Sequence, residues 1–353
     1  VIPHDTPFLA LEADAFERNV ARLADVVIGR HRKRWRPHIK GLRAAEAARA
    51  LLAAGACGVT CSTVGEAEAM VAAGVAEVLV ANQVVGAGAC ARLASLNRGA
   101  RVLSAVDNPA QLPGLAAAAR TAGVVLPVLV ELDIGLARCG CAGIDEVLHL
   151  ARQIAALPGL RFEGLTAWEG HTVRITDPAS KAAAVAAALG KLQEAALACA
   201  AAGHAPAIVS AGGTGDVQQA AEAAGVTEIQ AGGGAYGDLR YRGEFGAPVE
   251  CALTLHTTVI SRPTPRRIVC DGGFKAVATQ PAPAPRGLQG VQGVRLNAAH
   301  TIVELAHDSD APAIGEQLVF DIGSADGTVF LHDRLHVLRA GEPIATWSLR
   351  LAG

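Results

Sequence analysis

The sequence predicts an α/β chain, a (β/α)8 barrel followed by a mostly antiparallel β domain, and two observations carry that prediction. Between about residues 30 and 245 one unit recurs: a short β-branched run, a turn with Gly or polar residues, then an Ala-rich stretch with helical spacing. After about residue 246 the Ala-rich stretches stop, and β-branched runs follow one another between Gly and Pro turns. Strands alternating with helices call for a parallel sheet, and eight repeats favour a closed barrel over an open doubly wound sheet. The expected domains are residues 1–245, a leading strand and helix plus the barrel, and residues 246–353.

Taken in order, the opening TPFLALEADAFERNVARLADVV supplies a strand and a helix ahead of the first barrel strand. The eight barrel strands read RWRPHI, GVTC, EVLVA, RVLSA, PVLVEL, FEGLTA, AIVSA and TEIQA. Helices such as AAEAARALLAAG, GEAEAMVAAG and SKAAAVAAALGKLQEAALACAAAG lie between them. Several end in Gly, which takes the left-handed cap of a helix most readily. In the second part ALTLHTTVISR, RRIVCDGG, TIVEL, EQLVFDI and RLHVLRAGEPIATWSL alternate or run β-branched, and ATQPAPAPRGLQG is the most loop-like segment.

Bulk composition narrows the function classes. At 353 residues, 51% of them hydrophobic, two well-buried domains are expected, filled by Ala and Gly because aromatics make up only 3%. A net charge of −2 gives no electrostatic case for nucleic acid or an anionic membrane. No charged-then-apolar leader and no uninterrupted run of about 18 apolar residues is visible, so a membrane is not an expected partner. The eight cysteines form no C-x-x-C pairs; the closest set, Cys139 and Cys141, is a weak metal signal, and scattered thiols fit a reducing cytoplasm.

In a barrel of this kind the active site forms at the C-terminal ends of the strands. The first strand ends in His38 and Lys40, inside a basic run starting at Arg30, and a solvated charge run is the alternative for Lys40. The fifth strand ends in Glu131 and Asp133, with Arg138 beyond a Gly turn; the sixth gives Trp168, Glu169 and His171. The seventh ends in Ser210, followed by Gly212, Gly213, Thr214 and Gly215, and the eighth runs into Gly232, Gly233 and Gly234. Adjacent Gly-rich turns at the last two strands suit a phosphate, with Thr214 adding a hydroxyl; ligand-free tight turns are the alternative. The G-x-G-x-x-G dinucleotide spacing is absent. A lysine, a phosphate cradle and an arginine around one barrel mouth suggest pyridoxal 5'-phosphate, an amine for its aldehyde and a cation for its phenolate side.

These motifs resemble the D-threonine aldolase and D-serine dehydratase family of alanine-racemase-like (fold-type III) pyridoxal phosphate enzymes, nearly end to end. RPHIK is similar to the family's R-P-H-x-K, which implies that Lys40 carries the cofactor, with His38 beside it. VELDIGLARCG resembles its D-x-G-x-x-R-x-G element, which implies Arg138 near the phenolic oxygen. WEGHT places Trp168 where the family usually has Tyr, and SAGGTG and EIQAGGG resemble its phosphate-binding turns. The chain also departs from the pattern. Leu42 stands where the family repeats a His, Ala298 and Ala299 replace two acids ahead of His300, and Ser324 stands at the His of a family metal pair whose second member is Asp326. A hydroxyl and one carboxylate are poor zinc ligands; with waters they could hold Mn²⁺ or Mg²⁺ weakly, and Asp326 as a turn residue is the alternative.

The resemblance implies a lyase that cleaves a D-3-hydroxy amino acid to glycine and an aldehyde, working as a homodimer on a small-molecule amino-acid substrate. Retro-aldol cleavage needs a base near the hydroxyl, for which His171 and His300 are candidates beside Lys40. Three rivals stay open: a 3-hydroxy-amino-acid dehydratase, which must expel hydroxide; a racemase, which needs a second base such as Tyr236 or Tyr241; and a catalytically silent pyridoxal phosphate-binding protein.

Overall fold

The computed structural model describes residues 5–350, which form two compact units. One comprises Arg22–Lys40 and Ala45–Gly232; the other comprises residues 5–21, Gly41–Ala44 and Gly233–Arg350.

The chain opens with strand β1 (Phe8–Glu12) and helix α1 (Ala13–Ala24). The first unit's strands are β2 (Arg34–Trp35), β3 (Val59–Cys61), β4 (Glu77–Gln83), β5 (Arg101–Val106), β6 (Leu126–Glu131), β7 (Leu160–Thr166), β8 (Ile208–Ala211) and β9 (Glu228–Ile229). They lie in the order β2-β9-β8-β7-β6-β5-β4-β3, and every neighbouring pair is parallel. The two ends of that order meet just beyond β2. Ile39 N donates to Thr60 O and Thr60 N to Pro37 O, both at 2.9 Å, and His38 bridges Thr60 in parallel register. The sheet is thereby a closed barrel, and each of the eight sequence-read strands is one of its staves. All six residues of β6 are buried, as expected of a strand covered on both faces. Inside, Leu79, Leu103, Leu129 and Ile208 form one apolar cluster, so the barrel is filled by side chains rather than hollow.

Local chemistry sets where the barrel helices begin and end. These are α2 (Ala45–Ala53), α3 (Val64–Ala72), α4 (Ala87–Leu96), α5 (Leu112–Ala122), α6 (Ile144–Ala156), α7 (Pro178–Ala201) and α8 (Val217–Glu222). Thr63 caps α3 by accepting from Glu66 N at 3.1 Å, and Asp177 caps α7 by accepting from Ser180 N at 2.7 Å, with Pro178 at the first helical position. Gly123 ends α5 in the left-handed conformation, φ 69°. By length and composition α7 is apolar enough to cross a membrane, which the sequence reading did not flag. Its buried residues, Lys181, Val185, Ala188, Leu189, Leu192, Ala195, Ala196 and Cys199, recur at three- and four-residue steps, the stripe of a helix with one face on a core.

The second unit contains β10 (Leu253–Thr264), β11 (Arg267–Asp271), β12 (Ala284–Pro285), β13 (Val291–Leu296), β14 (His300–Leu305), β15 (Gln317–Asp321), β16 (Arg334–Arg339) and β17 (Glu342–Ser348), with a short helix α9 (Ala325–Thr328). Their order is β13-β14-β11-β10-β1-β16-β17, with β15 also on β10 and β12 on β15. Pairing is antiparallel except between β1 and β16. Strand β1, grouped with the barrel on sequence, therefore belongs to this sheet: Phe8 sits opposite His256 and stacks on its ring at 4.6 Å, and Phe8, Ala10 and Leu338 cluster together. Strand β13 was not read from the sequence, because VQGVRL is interrupted by Gly293 and carries only partly buried or exposed residues.

Candidate active site

The mouth of the barrel collects the groups expected there. Beyond β2, His38 Nδ1 accepts from the Lys40 N–H at 3.3 Å, so the imidazole fixes the backbone that presents the lysine. Desolvation, with the Lys40 and Arg138 cations adding, pushes the His38 pKa down to about 3, and the ring is neutral. Lys40 Nζ lies 5.5 Å from the centroid of the Trp168 ring, and the Arg138 guanidinium carbon lies 5.3 Å from the same ring. One indole thus gathers the end of β2, the loop after β6 and the end of β7.

Arg138 is aimed by its own loop. Asp133 Oδ1 accepts from Gly135 N at 2.9 Å and Ala137 N at 3.1 Å, closing a tight turn that holds Ala137 at φ 56°. Those backbone donors keep the Asp133 carboxyl below its usual range. Across this loop Cys141 N donates to Glu131 O and Asp133 N to Cys141 O, so its two ends are clamped. Glu131 accepts from Gln83 Nε2 at 2.5 Å and stands 3.9 Å from Arg138, and burial raises its pKa. The exposed His171 ring lies over Gly135; a Cβ there would come within 2.9 Å of it.

The glycine turns are closely packed. A Cβ on Gly213 would approach Trp168 Nε1 to 3.1 Å, and one on Gly232 would meet the His38 carbonyl oxygen at 2.3 Å. The turn after β8 is closed by Gly213 N donating to Asp216 Oδ1 at 2.9 Å, with Thr214 and Gly215 between them. Ser210, expected at the cofactor, has a fully buried hydroxyl that donates to Glu228 Oε1 at 2.9 Å and accepts from Gln230 Nε2 at 3.0 Å. Gly233 belongs to the second unit, where Tyr241 lies against it.

An acid pair that the sequence did not reveal lies behind this turn. Glu169 is fully buried, and burial together with the Asp216 charge raises its pKa well above the carboxylate range. Burial also raises Asp216, to about 6. Glu169 stood beside Trp168 in the sequence reading, but 47 positions separate it from Asp216 and only the closed barrel brings them together.

An amine, a guanidinium, an aromatic face and backbone turns without side chains fit pyridoxal 5'-phosphate. In the second unit, the residues of the expected metal pair do not fit a divalent cation. Arg240 Nη1 donates to Ser324 Oγ at 3.3 Å, placing a guanidinium on one of the two donors. Among the described residues no three His, Cys, Asp or Glu side chains gather as a metal site. His300 is exposed at the start of β14, opposite Asp271. Tyr236 is fully buried and donates its hydroxyl proton to Leu42 O at 3.0 Å.

Comparison with known proteins gives this geometry a family. The alanine racemase N-terminal domain matches residues 11–240, and a putative serine dehydratase domain matches residues 252–338. A D-threonine aldolase of Arthrobacter sp. is 34% identical over 99% of this chain and 93% of its own length. The chain belongs to the D-threonine aldolase and D-serine dehydratase family of alanine-racemase-like enzymes. Within that family, the crystal structure of D-threonine aldolase from Filomicrobium marinum superposes with a TM-score of 0.93 at 33% identity, covering 98% of this chain and 95% of that one. D-threo-3-hydroxyaspartate dehydratase from Delftia sp. HT23 superposes with a TM-score of 0.87 at 27% identity, covering 98% and 97%. A cysteine variant of a D-threo-3-hydroxyaspartate dehydratase is known in a metal-free form.

Proposed function

We propose that this chain is a pyridoxal phosphate-dependent lyase that cleaves D-3-hydroxy amino acids to glycine and an aldehyde. One observation carries the reading: Lys40 and Arg138 share the Trp168 ring at the mouth of a closed barrel, beside a turn at Gly232 too tight for a side chain. In this reading Lys40 would hold the cofactor's aldehyde carbon, Thr214 with the Gly215 and Gly232 backbone would hold its phosphate, and Arg138 would offer a cation to its phenolic oxygen. Gly213 contributes by shape, since its N–H is already given to Asp216. When bound, the cofactor withdraws electrons from the bond broken at Cα.

The protein's own part is to orient the substrate and move protons. His171, lying over Gly135 and open to solvent, is the base proposed to take the β-hydroxyl proton as Cα–Cβ breaks. No observation favours His300 over it. The near-full-length likeness to D-threonine aldolases supports cleavage. Of the two tyrosines that could serve a racemase as second base, Tyr236 has its hydroxyl committed to Leu42. A homodimer is the assembly that the resemblance implies, and the eight free thiols are consistent with a cytoplasmic setting.

The test is a panel of D- and L-threonine and 3-hydroxyaspartate, with glycine, aldehyde, oxo acid and Cα epimer measured separately. Glycine and acetaldehyde in equal amounts from D-threonine are expected. An oxo acid with ammonia and no glycine would show a dehydratase, and recovery of the substrate's Cα epimer, L-allo-threonine from D-threonine, would show a racemase.

A further inference from the structure

In the second unit, the segment 238–241 is docked along residues 322–325. Leu239 N donates to Ile322 O and Arg240 N to Gly323 O, each at 3.1 Å. Asp238 Oδ2 accepts from Ala325 N and Asp238 Oδ1 from Tyr241 N, both at 2.7 Å. These backbone bonds fix the start of the Arg240 side chain, and its guanidinium is fixed at the far end as well. Nη1 donates to Ser324 Oγ at 3.3 Å and Nη2 to the Gln280 carbonyl. Ser324 is buried, 4% exposed, while the Arg240 side chain stays partly exposed and also lies 3.8 Å from Glu244.

A divalent cation here would need several oxygen or nitrogen donors and no competing positive charge. The chain offers the opposite. Ser324 replaces an imidazole with a neutral hydroxyl, and that oxygen already accepts from a guanidinium. Asp326 contributes a single carboxylate, packed so closely on Gly41 that a Cβ there would lie 2.2 Å from its Oδ1. Asp238 is near enough to feel the Asp326 charge, but its two oxygens hold backbone donors. Arginine does not lose its proton in proteins, so its charge cannot be withdrawn to admit a metal.

We propose that Arg240 supplies a permanent cation at Ser324, and that the site of Ser324 and Asp326 takes up no divalent metal. For catalysis the consequence is a lyase insensitive to chelators, and only that clause rests on the function proposed above.

The test loads the full-length protein with Mn²⁺, removes unbound metal by desalting and measures manganese per chain by mass spectrometry. No stoichiometric manganese is expected in the wild type or in Arg240→Lys, which keeps the charge. The double substitution Ser324→His with Arg240→Ala is expected to take up manganese in proportion to chain, with its melting curve checking the fold. Wild-type protein that retains one manganese per chain, and loses it in Asp326→Asn, would overturn the proposal. So would a folded double variant that still takes up none, since Arg240 would then not be what keeps metal out. Activity before and after EDTA gives a second readout; loss on chelation with recovery on Mn²⁺ also overturns it. Because metal content is measured without substrate, failure of the lyase reading would leave this result standing.

Discussion

Replacing Gly232 with Ala tests whether the turn after β9 positions the lysine. Gly232 has no left-handed φ, so alanine meets no backbone strain there. It meets a wall instead. The new Cβ would lie 2.3 Å from the His38 carbonyl oxygen and 2.5 Å from the His38 nitrogen. Cβ contacts under 3.0 Å essentially never occur, so the two backbones must separate by at least about 0.7 Å. His38 N is bonded to Gln230 O at 2.9 Å, so that separation strains the bond joining the strand of Lys40 to the barrel. Overpacking of this kind costs about 1–3 kcal/mol, and a loss near about 2 kcal/mol lowers the melting temperature by roughly 4–8 °C. A shift approaching ~1 Å at a catalytic group can cost ~100-fold in rate. The control is Gly190→Ala in the middle of α7, where a Cβ meets nothing within 4 Å. That change should stabilise by up to about 1 kcal/mol through helix propensity. Thermal melts and cofactor titrations of both variants decide the matter. If Gly232→Ala melts with the wild type and binds cofactor equally well, the close approach does not hold the lysine strand in place.

Two further outcomes follow from the barrel's buried charges. Glu169 and Asp216 both have folded pKa values above their unfolded ones, so they favour the fold at low pH and that contribution is lost as pH rises through about 6 and beyond. Glu169→Gln removes the more strongly raised group, and its denaturant-unfolding stability should fall less between pH 5 and 8 than the wild type's; equal slopes would show that the pair carries no proton. At the other end of the barrel Arg36 Nε pairs with Glu228 at 3.0 Å, both side chains fully buried. Arg36→Met leaves the buried Glu228 with only the partly exposed Arg34, 3.6 Å away, as counter-charge; it should cost up to about 3–5 kcal/mol in denaturant unfolding, and a loss under about 1 kcal/mol would contradict that view of the pair.

The barrel was legible because each stave announces itself locally. AIVSA and PVLVEL are short apolar runs bounded by turn residues, and they became β8 and β6. Membership of the second sheet was not, since the partner of Phe8 is His256, far along the chain, and no local pattern says which sheet a leading strand joins. Around the site, Lys40, Arg138 and Trp168 were found because each ends a readable strand or its turn, and the structure brings all three together. Ser210 shows the limit of that logic. A hydroxyl near a strand end looked available to a ligand, but Glu228, one stave over, takes it inside. Arg240 was invisible for a similar reason: in LRYRGE it reads as one of several surface cations with Glu244 four residues on, and only the docking of 238–241 on 322–325 shows that it reaches Ser324.

The most direct measurement is the visible spectrum of the purified protein and of Lys40→Ala, each incubated with pyridoxal phosphate and then freed of excess cofactor. The wild type is expected to keep the visible band of a lysine-bound cofactor and to release glycine from D-threonine, and Lys40→Ala to lose both. A Lys40→Ala protein that keeps the band, or that still cleaves D-threonine, would contradict the assignment of Lys40 as the cofactor's anchor.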